Sequence, residues 1–225
     1  VFAESGSPHR GRQVLPLLHA PDAQIPLELA QVQIHTEVVG LAARTRIELQ
    51  VFNPNRQDLE GALQFPLQDG QVVTGFALEV DGELRPAVPV EKAKGRQVFE
   101  DVTRTRIDPA LLESTGTNSY RLRIYPLPAR GLRRVVLEIT ETLVRQHTGV
   151  QQSALLQLPL QLGMSVQELE VTVRMPRSAS GTGPQALFAG QMTRPLALRP
   201  VVAARQDQLV LHRVLPAHQL GHRDL

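Results

Sequence analysis

The chain has 225 residues, of which 42% are hydrophobic, and it contains no cysteine. This length suits one or two domains and allows a substantial hydrophobic core without covalent cross-links. The missing cysteines exclude a disulfide scaffold, a thiolate metal site and a cysteine nucleophile. No run approaches the ~20 apolar residues that a membrane-spanning helix needs, so we predict no transmembrane segment in this chain.

The formal net charge of +2 conceals two regions of opposite sign. Residues 22–101 hold 13 acidic and 7 basic residues, a net charge of −6, whereas residues 104–134 hold 7 basic and 2 acidic residues, a net charge of +5. Either the two regions face each other, or arginine stems cover a sheet face, or the basic region attracts an acidic partner. Aromatic residues are only 4% of the chain and do not interleave with basic residues, so we predict no nucleic-acid partner.

Residues 1–26 are rich in proline and small polar residues, and we predict an extended N-terminal arm there. From residue 27 onward, apolar and polar residues alternate with a period of two, which is typical of half-buried strands. The alternation is clearest at residues 32–34, 47–51, 122–124, 135–139 and 169–175. Turn residues separate these stretches, and Asp81-Gly82 predicts a tight hairpin.

This pattern predicts an all-β fold, a mostly antiparallel β-sandwich. Residues 27–145 form the predicted main domain, and residues 146–225 form a β extension that packs on it or continues it. Two stretches break the alternation. Residues 90–106 follow a proline and are rich in helix formers, so we predict one short helical insertion there. Asp108-Pro109 precedes Ala110-Leu111-Leu112-Glu113, which we predict to be an N-capped helical turn.

No motif predicts an enzyme, because the chain lacks the GxSxG, GxxxxGK and GxGxxG patterns. Glu79, Asp81 and Glu83 lie around the predicted hairpin, where the polar face of a strand accounts for them without acid–base chemistry. Three histidines near the C-terminus have no neighbouring glutamate that would complete a zinc site, and we interpret them as a solvated tail: His212, His218 and His222. We therefore predict no catalytic residue, metal or cofactor.

The basic region supplies the candidate partner-binding surface. Its two predicted strands are expected to place four arginines on or near one solvent face: Arg121, Arg123, Arg133 and Arg134. Guanidinium groups suit carboxylates, sulfates and phosphates, so this face would dock an acidic protein or a polysaccharide.

Several short motifs recur in a distinctive order. Phe65-Pro66 ends one strand, Gly75-Phe76 lies in the next, Glu91-Lys92 and Phe99 lie in the predicted helix, Leu112 lies in the following turn, and Tyr120 and Pro126 lie in the next strand. This order resembles the VIT domain, the vault protein inter-alpha-trypsin module, over about residues 28–145. Phe99 and Tyr120 stand where the family often has Tyr and Phe, and Pro128-Ala129-Arg130-Gly131 departs from the family's Pro-Gly turn.

The resemblance implies a non-enzymatic interaction or scaffold module, the N-terminal part of a larger secreted, periplasmic or cell-envelope protein. In larger relatives a von Willebrand factor type A domain often follows this module, so we expect a protein partner or such an adjacent domain. This chain itself has no DxSxS metal motif of that domain. Two alternatives stay open: a polyanion- or carbohydrate-binding β-sandwich that uses the arginine face, and a hydrolase with dispersed residues.

Overall fold

The computed structural model describes residues 17–87, 99, 110–116, 118–148, 151–154, 156, 158, 166–176, 199–201 and 208–216. The elements that these residues form are fourteen strands. They are β1 (Leu17–His19), β2 (Glu28–Val39), β3 (Ala42–Phe52), β4 (Leu59–Pro66), β5 (Gln71–Val80), β6 (Glu83–Pro86), β7 (Ala110–Gly116), β8 (Ser119–Leu127), β9 (Leu132–Thr142), β10 (Arg145–Thr148), β11 (Gln151–Ala154), β12 (Val166–Pro176), β13 (Arg199–Val201) and β14 (Gln208–Pro216). No helix among the described residues is long and apolar enough to cross a membrane.

Twelve of these strands form two sheets. The small sheet has the order β1-β4-β8-β7, and the large sheet has the order β13-β14-β12-β2-β3-β9-β5-β6. Strands β10 and β11 pair as a separate ribbon. Among the described pairs, only β2 and β12 run parallel. The prediction of an all-β, mostly antiparallel sandwich is therefore confirmed.

The core lies between the two sheets because each strand buries alternate side chains. On β3 the side chains of Ile47, Leu49 and Val51 are buried, and the polar residues between them point away. Leu122 and Ile124 on β8 are fully buried and belong to the same apolar cluster. The apolar residues at every second position of the sequence are thus the ones that face the core from each sheet.

The C-terminal strands continue the large sheet. Strand β12 lies beside β2 in parallel register, from Val166 opposite Leu29 to Arg174 opposite Glu37. Four side chains of β12 are at most 2% exposed and belong to the same core cluster: Val166, Leu169, Val171 and Val173. Strand β14 then pairs with the other side of β12. Residues of the predicted extension therefore complete the core that β2 begins.

The large sheet has two ends, which position the candidate surfaces. At one end, here called the Asn53 end, Phe52 at the close of β3 is paired with Leu132 at the start of β9. Strand β14 also finishes there, because Pro216 is paired with Glu168 near the start of β12. At the other end, here called the Val39 end, Val39 and Thr142 are both paired with Ala42.

Of the two turns predicted from short sequence motifs, the hairpin forms and the helical turn does not. Asp81 and Gly82 adopt positive φ values of 54° and 81° and join β5 to β6, as the predicted hairpin requires. The predicted helical turn at residues 110–113 is wrong, because Ala110–Gly116 forms β7 and pairs with β8. Pairing with β8 and packing of Leu112 against the core outweigh the helix propensity of this segment.

Two further predictions concern segments that are described only in part. The helical insertion at residues 90–106 lies outside the described residues except for Phe99, so it stays a prediction. Within the N-terminal arm predicted for residues 1–26, the structure describes residues 17–26, and Leu17–His19 forms β1 at the edge of the small sheet, paired with β4.

Candidate interaction surfaces

The four predicted partner-binding arginines do not share one face. Arg121 and Arg123 lie on β8 of the small sheet, whereas Arg133 and Arg134 lie on β9 of the large sheet. Their side chains alternate with buried residues, so Arg121 and Arg123 point away from the core. Whether any of the four contacts a partner stays a prediction.

Arg123 is held by two neighbours on the outer face of the small sheet. Its Nε donates to Oε1 of Glu60 over 2.7 Å. Its guanidinium carbon lies 4.3 Å from the ring centroid of Phe99, which is only 2% exposed. Such a cation–π contact contributes about 0.5–2 kcal/mol. Arg121, by contrast, is exposed and makes no ion pair with the described residues.

Arg133 and Arg134 have different roles within the fold. Arg133 donates from Nε to the carbonyl oxygen of Pro126 over 3.0 Å and from Nη1 to that of Glu79 over 2.9 Å, so it ties β8 to β5 across the two sheets. Arg134 Nε lies 2.8 Å from Oε2 of Glu79 on the outer face of the large sheet. This Nε is buried and makes no hydrogen bond among the described residues, so its contact with Glu79 is an ion pair.

The outer face of the large sheet is a network of paired polar side chains. Arg44 and Arg46 both contact Glu138, and the Arg44 guanidinium holds the pKa of the Glu138 carboxyl below its ordinary value. Farther along the same face, Gln31 donates to Glu168 over 2.6 Å and Gln33 donates to Glu170 over 2.7 Å. These side chains satisfy one another, so this face presents few free polar groups.

The two oppositely charged regions of the sequence meet in the fold. Arg123 pairs with Glu60, and Arg134 pairs with Glu79 and lies 3.9 Å from Glu48. Both arginines come from the basic region, and all three glutamates come from the acidic region. Of the readings of the charge asymmetry, internal pairing is the one that these contacts support.

The acidic residues around the β5–β6 hairpin are paired or exposed. Glu79 is paired with Arg134, Asp81 lies 3.7 Å from Arg85 in an exposed turn, and Glu83 is exposed. No group of three or more His, Asp or Glu side chains within the described ranges could hold a metal ion. The interpretation as a solvated tail is wrong for His212, which lies on β14 and is paired with Thr172 of β12 and Arg199 of β13. His218 and His222 lie outside the described residues, so for them it stays a prediction.

Asn53 is a buried polar residue that none of the sequence patterns above singles out. Its side chain is 0% exposed. The Asn53 amide donates to the carbonyl oxygens of Gln57 and Leu127, each over 2.9 Å. Its Oδ1 accepts hydrogen bonds from the backbone N–H and the side-chain amide of Asn55, over 2.9 and 3.0 Å. One side chain thus connects the β3–β4 turn to the end of β8.

Asn55 extends this centre to the N-terminal segment. Its Oδ1 accepts hydrogen bonds from the backbone N–H groups of Gln24 and Ile25, and its amide donates to the Ile25 carbonyl over 2.8 Å. The carbonyl of Asn55 also accepts from the backbone N–H of Arg130 over 2.9 Å. In the sequence, these residues stand out only as two asparagines around Pro54, a composition typical of a turn.

The Asn53 end carries an exposed apolar and basic surface above this rigid centre. Ile25 and Leu132 are 50% and 52% exposed. Arg56, which follows Asn55, and Arg130, whose backbone N–H donates to Asn55, are also exposed at this end and form no ion pair with the described residues. We call these four residues the Leu132 surface.

The Val39 end carries a shallow trough of about 410 Å³ on the large sheet. Among its lining residues, Glu37 is exposed and Glu141 is half-buried. Burial raises the pKa of the Glu141 carboxyl, and a hydrogen bond from Gln71 partly opposes that rise. The Glu141 carboxyl therefore holds its proton more tightly in the folded chain than in the unfolded chain.

Glu141→Gln is expected to stabilise the protein at neutral pH. Because the folded pKa is raised, the favourable contribution of Glu141 is complete below its unfolded pKa and is lost as the pH rises through the folded value. At pH 7 the variant should melt about 1–2 °C higher, and at pH 4 the gain should shrink. Thermal melting at both pH values checks this, with Glu83→Gln as the exposed control. Equal gains at both pH values would contradict the assignment.

The residues that carried the VIT resemblance occupy structural positions. Phe65 and Tyr120 are paired across β4 and β8 with their rings stacked, 5.9 Å between centroids and 15° between planes. Phe76 is buried in the core, and Leu112 packs against this core cluster. Glu91 and Lys92 lie outside the described residues.

Two prolines and a glycine of the same set lie at irregular points of the strands. Pro66 ends β4, and Pro126 follows Tyr125 through a cis peptide bond. Gly75 lies at a β-bulge in β5, where an added Cβ would come within 3.1 Å of Glu138 Cβ. A side chain at this position would require Glu138 on the neighbouring strand to shift by a few tenths of an ångström.

Comparison with known proteins adds a family match and weak structural likenesses. The family model of the vault protein inter-alpha-trypsin domain matches residues 29–140. No curated protein matches the chain. Among solved structures, a candidate nutrient binding protein from Legionella pneumophila has a TM-score of 0.47 and 12% identity, with 92% of this chain and 67% of that chain covered.

A second solved structure, the M1 zinc metallopeptidase from Deinococcus radiodurans, has a TM-score of 0.46 and 13% identity, with 87% of this chain covered. This chain spans only 41% of the metallopeptidase. Because both TM-scores are below 0.5, neither structure informs the function.

The family match agrees with the structural roles of the motif residues. It begins in β2 and ends in β9, so it includes both the Phe65–Tyr120 stack and the Gly75 bulge. VIT domains are protein-interaction domains of larger proteins, they generally occur with other domains, and they are typically extracellular. Residues 29–140 are a VIT domain, and the chain belongs to the VIT family.

Proposed function

We propose that this chain is a non-enzymatic interaction module that braces a neighbouring domain of a larger secreted or envelope protein. The Leu132 surface carries this proposal. It combines two half-exposed aliphatic side chains with two arginines that form no ion pair within the described part of the chain, which is the composition of a docking surface rather than of a catalytic pocket. A von Willebrand factor type A domain is the neighbour that we expect.

The position of the Leu132 surface also supports this role. Strand β14 ends with Pro216 at the Asn53 end, which is the end that also carries Leu132. Asn53 and Asn55 hold the backbone under this surface through buried hydrogen bonds. A preorganised surface loses less conformational entropy when a neighbour packs on it.

Support for the polyanion alternative is weaker. Three of the four predicted arginines are engaged within the molecule: Arg123 with Glu60 and Phe99, Arg133 with two backbone carbonyls, and Arg134 with Glu79. Only Arg121 is left exposed and without an ion pair among the described residues. A polyanion needs several free cations on one face.

The double variant Leu132→Ser, Arg130→Ser is expected to weaken docking of the neighbouring domain. The test produces the domain that follows this chain in its reading frame as a separate protein and titrates it calorimetrically. Because a few central residues carry most of the energy of an interface, we expect Kd to rise by about tenfold or more. Val39→Ser, at the opposite end, is the control and should leave Kd unchanged.

Three results would contradict the proposal. A reading frame that stops directly after Leu225 would leave no neighbour to brace. Equal Kd values for the double variant and the wild type would remove the Leu132 surface from the contact. Retention of the full-length protein in the cytoplasm on fractionation would contradict its secreted or envelope setting.

A further inference from the structure

The sequence contains two aspartate–glycine pairs, and the structure places them in different surroundings. Asp69-Gly70 lies in the turn from β4 to β5, and Asp81-Gly82 lies in the turn from β5 to β6. Such a pair can isomerise without an enzyme, because glycine has no side chain to shield its backbone nitrogen from the preceding carboxyl group. Which of the two pairs reacts depends on how firmly each carboxyl group and each turn is held.

Asp69 is held by the neighbouring turn and by its own. Its Oδ1 accepts a hydrogen bond from the side-chain amide of Asn118 over 2.9 Å, and the carbonyl oxygen of Asn118 accepts from the backbone N–H of Leu67 over 2.7 Å. The backbone N–H of Gln71 also donates to the carbonyl oxygen of Gln68 over 3.1 Å, which closes the turn around the pair. This carboxyl group is therefore restrained on its oxygen and along its backbone.

Asp81 is held only loosely. Its side chain is 84% exposed, and it lies 3.7 Å from the guanidinium of Arg85, which is itself 61% exposed. An ion pair so open to water contributes little free energy. The Asp81 carboxyl is therefore free to leave Arg85 and approach the backbone nitrogen of Gly82.

The strand that follows Asp81-Gly82 is also weakly attached. Strand β6 has four residues, lies at the edge of the large sheet and pairs with β5, and three of its side chains are exposed: Glu83, Arg85 and Pro86. Segments with few buried contacts open locally at a small cost in free energy. Opening releases the Asp81 backbone from the positive φ of the tight turn, so that its carboxyl group can reach the next nitrogen.

We propose that Asp81-Gly82 is a site of spontaneous modification, at which aspartate converts to isoaspartate while Asp69-Gly70 is protected. The Gly82 nitrogen attacks Cγ of Asp81, the N–Cγ bond forms, and the amide proton and the carboxyl hydroxyl leave as water. Water then opens the succinimide ring. Cleavage between nitrogen and Cγ restores aspartate, and cleavage between nitrogen and the main-chain carbonyl carbon gives isoaspartate. The net change in mass is zero, and no oxidant or cofactor takes part.

Isoaspartate at residue 81 would loosen the edge of the large sheet. The modified chain runs through Cβ and Cγ of this residue, which adds one carbon to the backbone of a two-residue turn. That turn sets Val80 opposite Glu83, and its length fixes the register of β6 on β5. The lengthened turn no longer matches this register, so β6 would detach and expose the edge of β5.

Ageing of the whole chain at neutral pH, below its melting temperature, tests the proposal. An isoaspartyl methyltransferase with labelled S-adenosylmethionine measures isoaspartate, and mass spectrometry with electron-transfer fragmentation locates it. We expect several-fold more isoaspartate at residue 81 than at residue 69. Asp81→Glu should abolish the signal at this position, because its ring would have six members and closes far more slowly.

Asn118→Gly tests the protection of Asp69. It removes the amide that holds Asp69 and keeps the positive φ of residue 118, which glycine tolerates. Isoaspartate at residue 69 should rise several-fold in this variant, whereas the signal at residue 81 should not change. Thermal melting checks that the variant is folded, and the comparison of the two sites in the wild type needs no variant.

Two synthetic peptides, residues 66–72 and 78–84, give the rate of each pair without the fold. If the folded chain forms as much isoaspartate at residue 69 as at residue 81, the structural distinction is wrong. If residue 81 stays unmodified in the folded chain while its peptide isomerises, the hairpin protects Asp81 and the proposal fails.

Discussion

A chain that ends at residue 145 is expected not to fold, although it contains the whole VIT match at residues 29–140. The truncation removes β12, whose four buried side chains belong to the core. Burial of each aliphatic side chain contributes about 1.5–3 kcal/mol, so about 6–12 kcal/mol is lost in total. That equals most of the 5–15 kcal/mol by which a typical domain is stable. The truncation also leaves one edge of β2 unpaired and open to aggregation.

Circular dichroism and sedimentation of the 1–145 fragment measure this effect. A chain that ends at residue 216 is the control, because it keeps every described strand. Two single variants on β12 make the same comparison in the intact chain. Val171→Asp, which places a charge at a 0% exposed core position, should unfold the protein, and Arg174→Asp, at an exposed position, should not. A monomeric 1–145 fragment with a cooperative melt would show that β12 is dispensable.

Asn53→Leu is expected to lower the free energy of unfolding by about 3–5 kcal/mol, since each orphaned buried polar group costs about 1–3 kcal/mol. The substitution leaves the carbonyl of Leu127 and the amide groups of Asn55 without their partner. For a protein of this size, we expect the melting temperature to fall by about 6–20 °C. Asn53→Asp should also destabilise, because its carboxylate would face two carbonyl oxygens with no donor.

Urea unfolding and thermal melting give both quantities. Gln57→Ala is the matched control: it removes an exposed side chain and keeps the backbone carbonyl that accepts from Asn53. Its effect should stay within about 0.5 kcal/mol. If Asn53→Leu unfolds at the same urea concentration as Gln57→Ala, the Asn53 centre does not stabilise the fold.

Several elements could be predicted from the sequence because their cause is local. Alternation on β3, from Ile47 to Val51, reports one buried and one solvated face. Asp81-Gly82 joins β5 to β6 because this dipeptide tolerates the positive φ values of a tight hairpin turn. Phe65 and Tyr120 fitted a family order and proved to stack on each other.

The candidate surfaces could not be predicted, because strand pairing places residues that are close in the sequence on different sheets. Arg123 and Arg133 are ten positions apart, yet they belong to different sheets. Ile25 and Leu132 are distant in sequence but lie at the same end of the sheet, where Asn55 bonds to the Ile25 backbone and the Arg130 backbone. No local pattern encodes such a meeting.

The sequence by itself determined that this chain is a VIT-family β-sandwich. Strand periodicity, turn residues and each short motif depend only on residues that are close together in the sequence. Only the tertiary structure decided that residues 110–116 are a strand, that β12 lies parallel to β2, and that acidic and basic regions pair with each other. These outcomes depend on contacts between distant residues. Their free energy comes from burying a shared core and satisfying backbone hydrogen bonds, and it appears only once the sheets have assembled.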